Sequence, residues 1–428
     1  MNDFKKTVEI IGGGTVSHVR AHLALSTVAY GTTAKKLKKF CSEYSDKLQV
    51  NCHLTKMSSG GEGNIETNED VAELTTSWVK DPNVKIVFFN VAMCDFNGDI
   101  DVNSIPYPPR GKYQSRLSTH RNTRDHDYSM RLVPSEKVIS SIRRTRKDIF
   151  LVGFKTTCGV SPDEQYLAGL NLLKTSSCNL VLANDLKTRK NMIITPEEAS
   201  YHVTSDRDEA LRNLVEMAYL RSHLTFTRST VINGEPVPWE STDIPNSLRA
   251  IVDYCIRGNA YKQFNGATVG HFAAKISPTT FLTSRRKTNF NDLAKLGLVK
   301  IETDGPDSVL AYGSKPSVGG QSQRIVFEEH PEYDCIVHFH CPLREDHCDD
   351  VPVVSQREYE CGSHECGQNT SRGLKEFTNR LSPHKFSAVM LDNHGPNIVF
   401  NRRIDPSAII EFIQRNFILS AKTGGPVK

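Results

Sequence analysis

The chain has 428 residues, of which 38% are hydrophobic and 24% charged, with a formal net charge of +4. That length exceeds one ordinary core and predicts two soluble, globular domains. The small net charge argues for neither nucleic acid nor membrane as a partner, and no run approaches the roughly 18–20 apolar residues that span a bilayer.

The chain opens on strand-like residues with no signal-peptide apolar region, and its eleven cysteines follow no repeating framework. Both features predict a cytoplasmic protein with free thiols. Residues 6–15, KTVEIIGGGT, read as a strand and a glycine turn of the kind that cradles phosphate or simply makes a tight corner. A lysine-rich helix over 34–44 presents Lys35, Lys36, Lys38 and Lys39 as a solvated face. A strand over 48–55 and a helix over 69–81 follow. The apolar run 83–93, NVKIVFFNVAM, has the composition of a central parallel strand buried on both faces. Helices over 135–144, 162–176 and 206–224 alternate with strands over 148–154 and 178–185. The alternation predicts an α/β fold whose N-terminal part is a doubly wound, Rossmann-like parallel sheet.

The pattern changes at residues 233–247, NGEPVPWESTDIPNS, a polar and aperiodic stretch read as a linker. It sets the expected domains at 1–235 and 245–428. The second domain reads as mixed α/β: a helix over 246–258, glycine-punctuated strands, a helix ending before Pro331, strands over 333–340 and 388–395, and a last helix over 405–421.

The run YDCIVHFHCPL, residues 333–343, carries His338 and His340 two residues apart. In a strand such residues share a face, about 6–7 Å apart along the chain. The pair is either a buried structural couple or two ligands of one cation. A catalytic zinc takes three protein ligands and keeps one open position, and His394 in MLDNHGPN is the third candidate.

The motifs NGATVGHFAAK, FLTSRRKTNFNDL, SKPSVGG, HPEYDCIVHFH and DNHG occur in this order over about 245–428. Together they resemble the class II aldolase/adducin family. The resemblance implies that His338, His340 and His394 bind Zn²⁺ or another divalent metal. It also implies that Asn265, Thr268, Gly270, Ser284 and Ser317 surround a phosphate or other anionic group of a small substrate, and that the chain forms a homo-oligomer, a tetramer by analogy. One position departs from the family: Gly319 stands where aldolases carry the proton-moving glutamate. Glu365, in the loop EYECGSHECGQNT, is the expected acid/base instead. Cys361, His364 and Cys366 of that loop form either a second metal site or a turn in the pocket wall.

Residues of about 7–225 resemble the phosphopantothenate–cysteine ligase domain of the bifunctional coenzyme A enzyme. The resemblance is carried by IIGGGT, FFNVAMCDF, YSMRLVPSEKVISSI, FLVGFKTT and LVLANDL. It implies a nucleotide cleft, for CTP or ATP, lined by Gly13, Gly14, Asp95, Gly153, Phe154, Asn184 and Asp185, with Asp185 near the ribose or base. Thr27 stands where that family has the asparagine that handles the acyl-nucleotide, and Lys112 is retained as one cation.

The resulting expectation is a two-domain metabolic enzyme. Zinc-dependent aldolase- or epimerase-type chemistry acts on a small, oxygenated, phosphorylated substrate beside a nucleotide-binding domain. A nucleotide-dependent carboxylate–amine ligase and a non-catalytic adducin-like scaffold are the two alternatives.

Overall fold

The computed structural model describes residues 5–100, 109–117, 128–346, 351–377 and 385–425. The chain divides into two compact units. One holds Met1–Val160, Ala168–Ile193 and His202–Ala218; the other holds Ser161–Leu167, Ile194–Tyr201 and Tyr219–Lys428. The division is not a single cut in the sequence. The stretch 233–247, expected to link two domains, lies inside the second unit, where Val237 exchanges backbone hydrogen bonds with Leu298.

Among the described residues the first unit is built on a seven-stranded sheet. Its strands are β1 (Lys6–Gly14), β2 (Leu48–Leu54), β3 (Val84–Ala92), β4 (Phe150–Thr157), β5 (Leu180–Asp185), β6 (Asn191–Ile194) and β7 (Ser200–Thr204), in the order β7-β6-β5-β4-β3-β1-β2. β1 runs parallel to β2 and β3, β3 to β4, and β4 to β5. The N-terminal unit is therefore a doubly wound sheet with the spatial order 2-1-3-4-5, whose winding reverses between β1 and β3. The apolar run anticipated as a central strand is β3, with Ile86, Val87, Phe88 and Phe89 buried. Helix α1 (Thr32–Ser42) buries Ala34, Leu37 and Phe40. Helix α2 (Asn68–Lys80) opens on a capping box: the Thr67 hydroxyl accepts from the Asp70 amide at 3.2 Å, and the Asp70 carboxylate accepts from the Thr67 amide at 2.8 Å.

The second unit carries a nine-stranded, mostly antiparallel sheet: β8 (Arg228–Ile232), β9 (His271–Ser277), β10 (Thr280–Thr283), β11 (Val299–Thr303), β12 (Ser308–Tyr312), β13 (Cys335–His338), β14 (Val353–Val354), β15 (Phe386–Leu391) and β16 (Gly395–Phe400). Their order is β8-β12-β11-β10-β9-β13-β16-β15-β14. Alternate residues of β13 divide between two buried clusters. Cys335, Val337 and Phe339 pack with Phe272, Ile398 and Phe412, while Ile336 packs with Ala273, Val389 and Val399. By the same alternation His338 lies on the Ile336 face. β13 is flanked by β9, where His271 pairs with His338, and by β16, where Asn397 pairs with His338.

Candidate metal centre

Two glycines bring separate chain segments close enough to build a site. Gly270 (φ +111) sits before β9, where a Cβ would lie 2.6 Å from the His338 carbonyl oxygen. Gly395 (φ +151) opens β16, where a Cβ would lie 2.1 Å from the Phe339 carbonyl oxygen and 3.0 Å from the His340 Cα. Only glycine tolerates these conformations and this approach. The turn that joins β15 to β16, with Asn393 at φ +56, therefore seats His394 against the end of β13.

His338, His340 and His394 are all buried there, and one ring nitrogen from each lies within 4.8 Å of the others. Their ring centroids are 4.5–5.0 Å apart. The strand proper ends at His338, and His340 lies just beyond it. His338 Nδ1–H donates to the Pro396 carbonyl at 2.8 Å, which leaves Nε2 with its lone pair; that atom is 3.2 Å from His394 Nε2. A tetrahedral zinc with bonds of about 2.0–2.1 Å holds its nitrogen ligands about 3.3 Å apart, so this pair already stands at ligand spacing. The His394 Nδ1 is buried with no hydrogen-bond partner among the described residues. Burial, then repulsion between the rings, pushes His338 and His394 well below the usual imidazole range. Both are neutral at pH 7, the form that ligates a cation. The donor set fits a divalent metal.

A fourth imidazole, not singled out from the sequence, borders the site. His271 lies 4.6 Å from the His338 ring, and burial lowers its pKa to about 3. Its Nδ1 accepts from the Gln323 amide, whose oxygen accepts from the Thr283 hydroxyl at 3.1 Å. The signal was present in VGHFAAK, but strand register alone reveals its partner.

The residues expected around an anionic group fall into two sets. Ser284 is fully buried, its hydroxyl has no partner among the described residues, and its carbonyl accepts from the Ser317 amide at 2.9 Å. Ser317 directly precedes helix α3 (Val318–Glu329), with no capping hydrogen bond from its side chain. By contrast, Asn265 (φ +50) and Gly266 form the turn of a short hairpin, and the Thr268 hydroxyl is committed to the Thr288 carbonyl and the Phe290 amide. Gly270 serves the close approach described above.

Glu365, the expected acid/base, is not among the residues at metal-ligand spacing. It stands in the first turn of helix α4 (His364–Glu376), and its carboxylate accepts from the Thr225 amide at 3.0–3.1 Å. A carboxylate near a helix start is drawn to exposed amide donors, which explains its place. His364 contacts the Thr227 hydroxyl at 2.9 Å, and buried Cys366 contacts Gln356. Among the described residues the three histidines are the one cluster with metal-ligand spacing, and Cys361, His364 and Cys366 do not form a second.

In the first unit, Gly13 and Gly14 end β1, Asn184 and Asp185 end β5, Asp95 lies just past β3, and Gly153 and Phe154 sit in the middle of β4. β1 continues through all three glycines rather than turning. A Cβ on Gly13 would meet the Thr55 and Ser58 hydroxyls, and one on Gly14 the Thr27 carbonyl oxygen. The Gly14 amide is already bonded to the Ala29 carbonyl at 2.9 Å. The Asp185 carboxylate accepts from the Thr157 hydroxyl and from the Val160, Lys187 and Thr188 amides, which ties the ends of β4 and β5 together. Asp95 pairs with Lys137 at 2.5 Å, Asn184 contacts Thr156, and Lys112 pairs with Glu66 at 2.7 Å.

Residues 250–405, which include all three histidines, match the family model of the Class II Aldolase and Adducin N-terminal domain. Among solved structures, the chain is similar to the DNA/pantothenate metabolism flavoprotein from Streptococcus pneumoniae, with 16% identity, 50% of this chain and 99% of that one covered, and a TM-score of 0.39. It is also similar to the C-terminal domain of the coenzyme A biosynthesis bifunctional protein CoaBC (13%, 51% and 98%, 0.35) and to L-fuculose 1-phosphate aldolase (17%, 41% and 85%, 0.30). No curated protein matches the chain.

Proposed function

We propose, for a chain whose residues 250–405 match the family model of the Class II Aldolase and Adducin N-terminal domain, a zinc-dependent enzyme of lyase or epimerase type. Its substrate is a small, oxygenated molecule carrying a phosphate or similar anionic group. The observation that carries this reading is the convergence of three buried imidazoles from two chain segments, with His338 Nδ1 held on a carbonyl and Nε2 left for a ligand. A zinc ion held by His338, His340 and His394 would supply Lewis acidity to a substrate oxygen. Ser284 and Ser317 support an anion site, because a buried hydroxyl without a partner stands beside a helix start. Gly319 offers no acid or base, so the proton moves through another group. Assays of the metal-loaded protein on a panel of sugar phosphates test the reading: cleavage or epimerisation that is lost in His338→Ala is expected. No turnover of any panel member by fully loaded protein leaves the scaffold alternative in its place.

A second reading concerns the first unit. The winding reverses between β1 and β3, and doubly wound sheets bind nucleotides at the strand carboxyl ends beside such a reversal. This supports a carboxylate–amine ligase using CTP or ATP. Pyrophosphate release by the full chain, with phosphopantothenate and cysteine as trial substrates, is the expected sign. Silence with both nucleotides counts against it. We further propose a cytoplasmic homo-oligomer, to be checked by light scattering.

A further inference from the structure

Glu198 comes from a part of the chain outside the matched segment, in the turn between β6 and β7. The Glu198 amide donates to the Thr195 carbonyl at 2.9 Å, and the Thr195 amide to the Ala199 carbonyl at 3.1 Å. Glu198 takes φ +63, a left-handed conformation uncommon for a residue with a side chain. It is nonetheless buried, and several contacts hold it there. Its carbonyl accepts from the Tyr166 hydroxyl at 2.7 Å and from the Lys422 ammonium at 3.2 Å. The neighbouring Glu197 is fully buried against Arg221 at 2.6 Å, and Arg221 also donates to the Gln356 and Arg357 carbonyls. The C-terminal segment closes the same corner: the Thr423 amide donates to the His340 carbonyl, and the Ser200 hydroxyl to the Gly424 carbonyl. So fixed, the Glu198 carboxylate lies 3.4 Å from His340 Nδ1, and both side chains are buried.

We propose that Glu198 is the carboxylate partner of His340 in the metal centre. It is a positioning residue that accepts a hydrogen bond from Nδ1–H and so keeps the Nε2 lone pair for the cation. The arrangement parallels the Pro396 carbonyl on His338 Nδ1. An oxygen partner on the outer nitrogen fixes tautomer and ring orientation and raises ligand basicity. The inference rests on the three-histidine reading and adds that the aldolase-type segment does not build the centre alone.

The test uses the full chain with Zn²⁺ as probe, its affinity measured by competition with a chromophoric chelator, and Co²⁺ as a spectroscopic substitute. Glu198→Ala is expected to weaken Zn²⁺ binding about 10–100-fold and to shift the visible Co²⁺ bands. Glu198→Gln, which keeps the shape, is expected to weaken it less, and serves alone if the alanine variant does not fold. In a His340→Ala background, Glu198→Gln is expected to cost nothing further. Zn²⁺ affinity within twofold of wild type and an unchanged Co²⁺ spectrum in a folded Glu198 variant would overturn the inference while leaving the three-histidine reading intact. A wild-type chain that takes up no Zn²⁺ overturns both.

Discussion

Gly395 shows how one residue decides whether the histidines meet. Its φ of +151 and the 2.1 Å approach of a hypothetical Cβ to the Phe339 carbonyl leave no room for a side chain. Gly395→Ala is therefore expected to cost about 1–3 kcal/mol or more, read from urea unfolding, and to lower metal uptake because His394 is displaced. Unchanged stability and uptake would mean that the turn relaxes freely. The same scale shows what the sequence made legible. His338 and His340 announce themselves by i, i+2 spacing in an apolar run, and His394 by the glycine behind it. Glu198 gives no such signal, since it lies far from His340 in the chain and is brought there by tertiary structure alone. Glu365 is the complementary case: its motif loop suggests an acid/base, while the fold commits its carboxylate to the Thr225 amide.

Among the elements, the parallel strands of the first unit were readable because strands buried on both faces are apolar throughout. The glycine run was read as a turn, whereas β1 continues through it. Glycine composition reports a need for close approach, and here helix α1 supplies it: a Cβ on Gly12 would lie 2.3 Å from the Ala34 Cβ. The turn between β6 and β7 depends on a buried ion pair. Glu197→Ala leaves the Arg221 guanidinium buried without its carboxylate and is expected to cost about 3–5 kcal/mol. The check is the urea midpoint, and a loss below about 1 kcal/mol would show the pair to be dispensable.

For the whole molecule, two α/β units were legible from the change in pattern along the chain. Their membership was not, because short segments such as Ser161–Leu167 and Ile194–Tyr201 join the second unit from within the first half of the sequence. Among the described residues no helix is long and apolar enough to cross a membrane. Among the described cysteines, Cys158 is the exposed one. Burial pushes Cys41, Cys178 and Cys341 up to about 12. Under native conditions a thiol reagent is expected to label Cys158 before these three, as read by peptide mass spectrometry, with the three reacting only on unfolding. Equal early labelling of the buried three would contradict the packing described.

The central claim is that three imidazoles share one cation. Metal analysis of the purified full chain after Zn²⁺ loading and desalting tests it most directly. The account predicts one tightly held zinc per chain, lost in His338→Ala and in His394→Ala while both variants stay folded. Zinc below a tenth of an equivalent in wild type, or full retention in either variant, would contradict it.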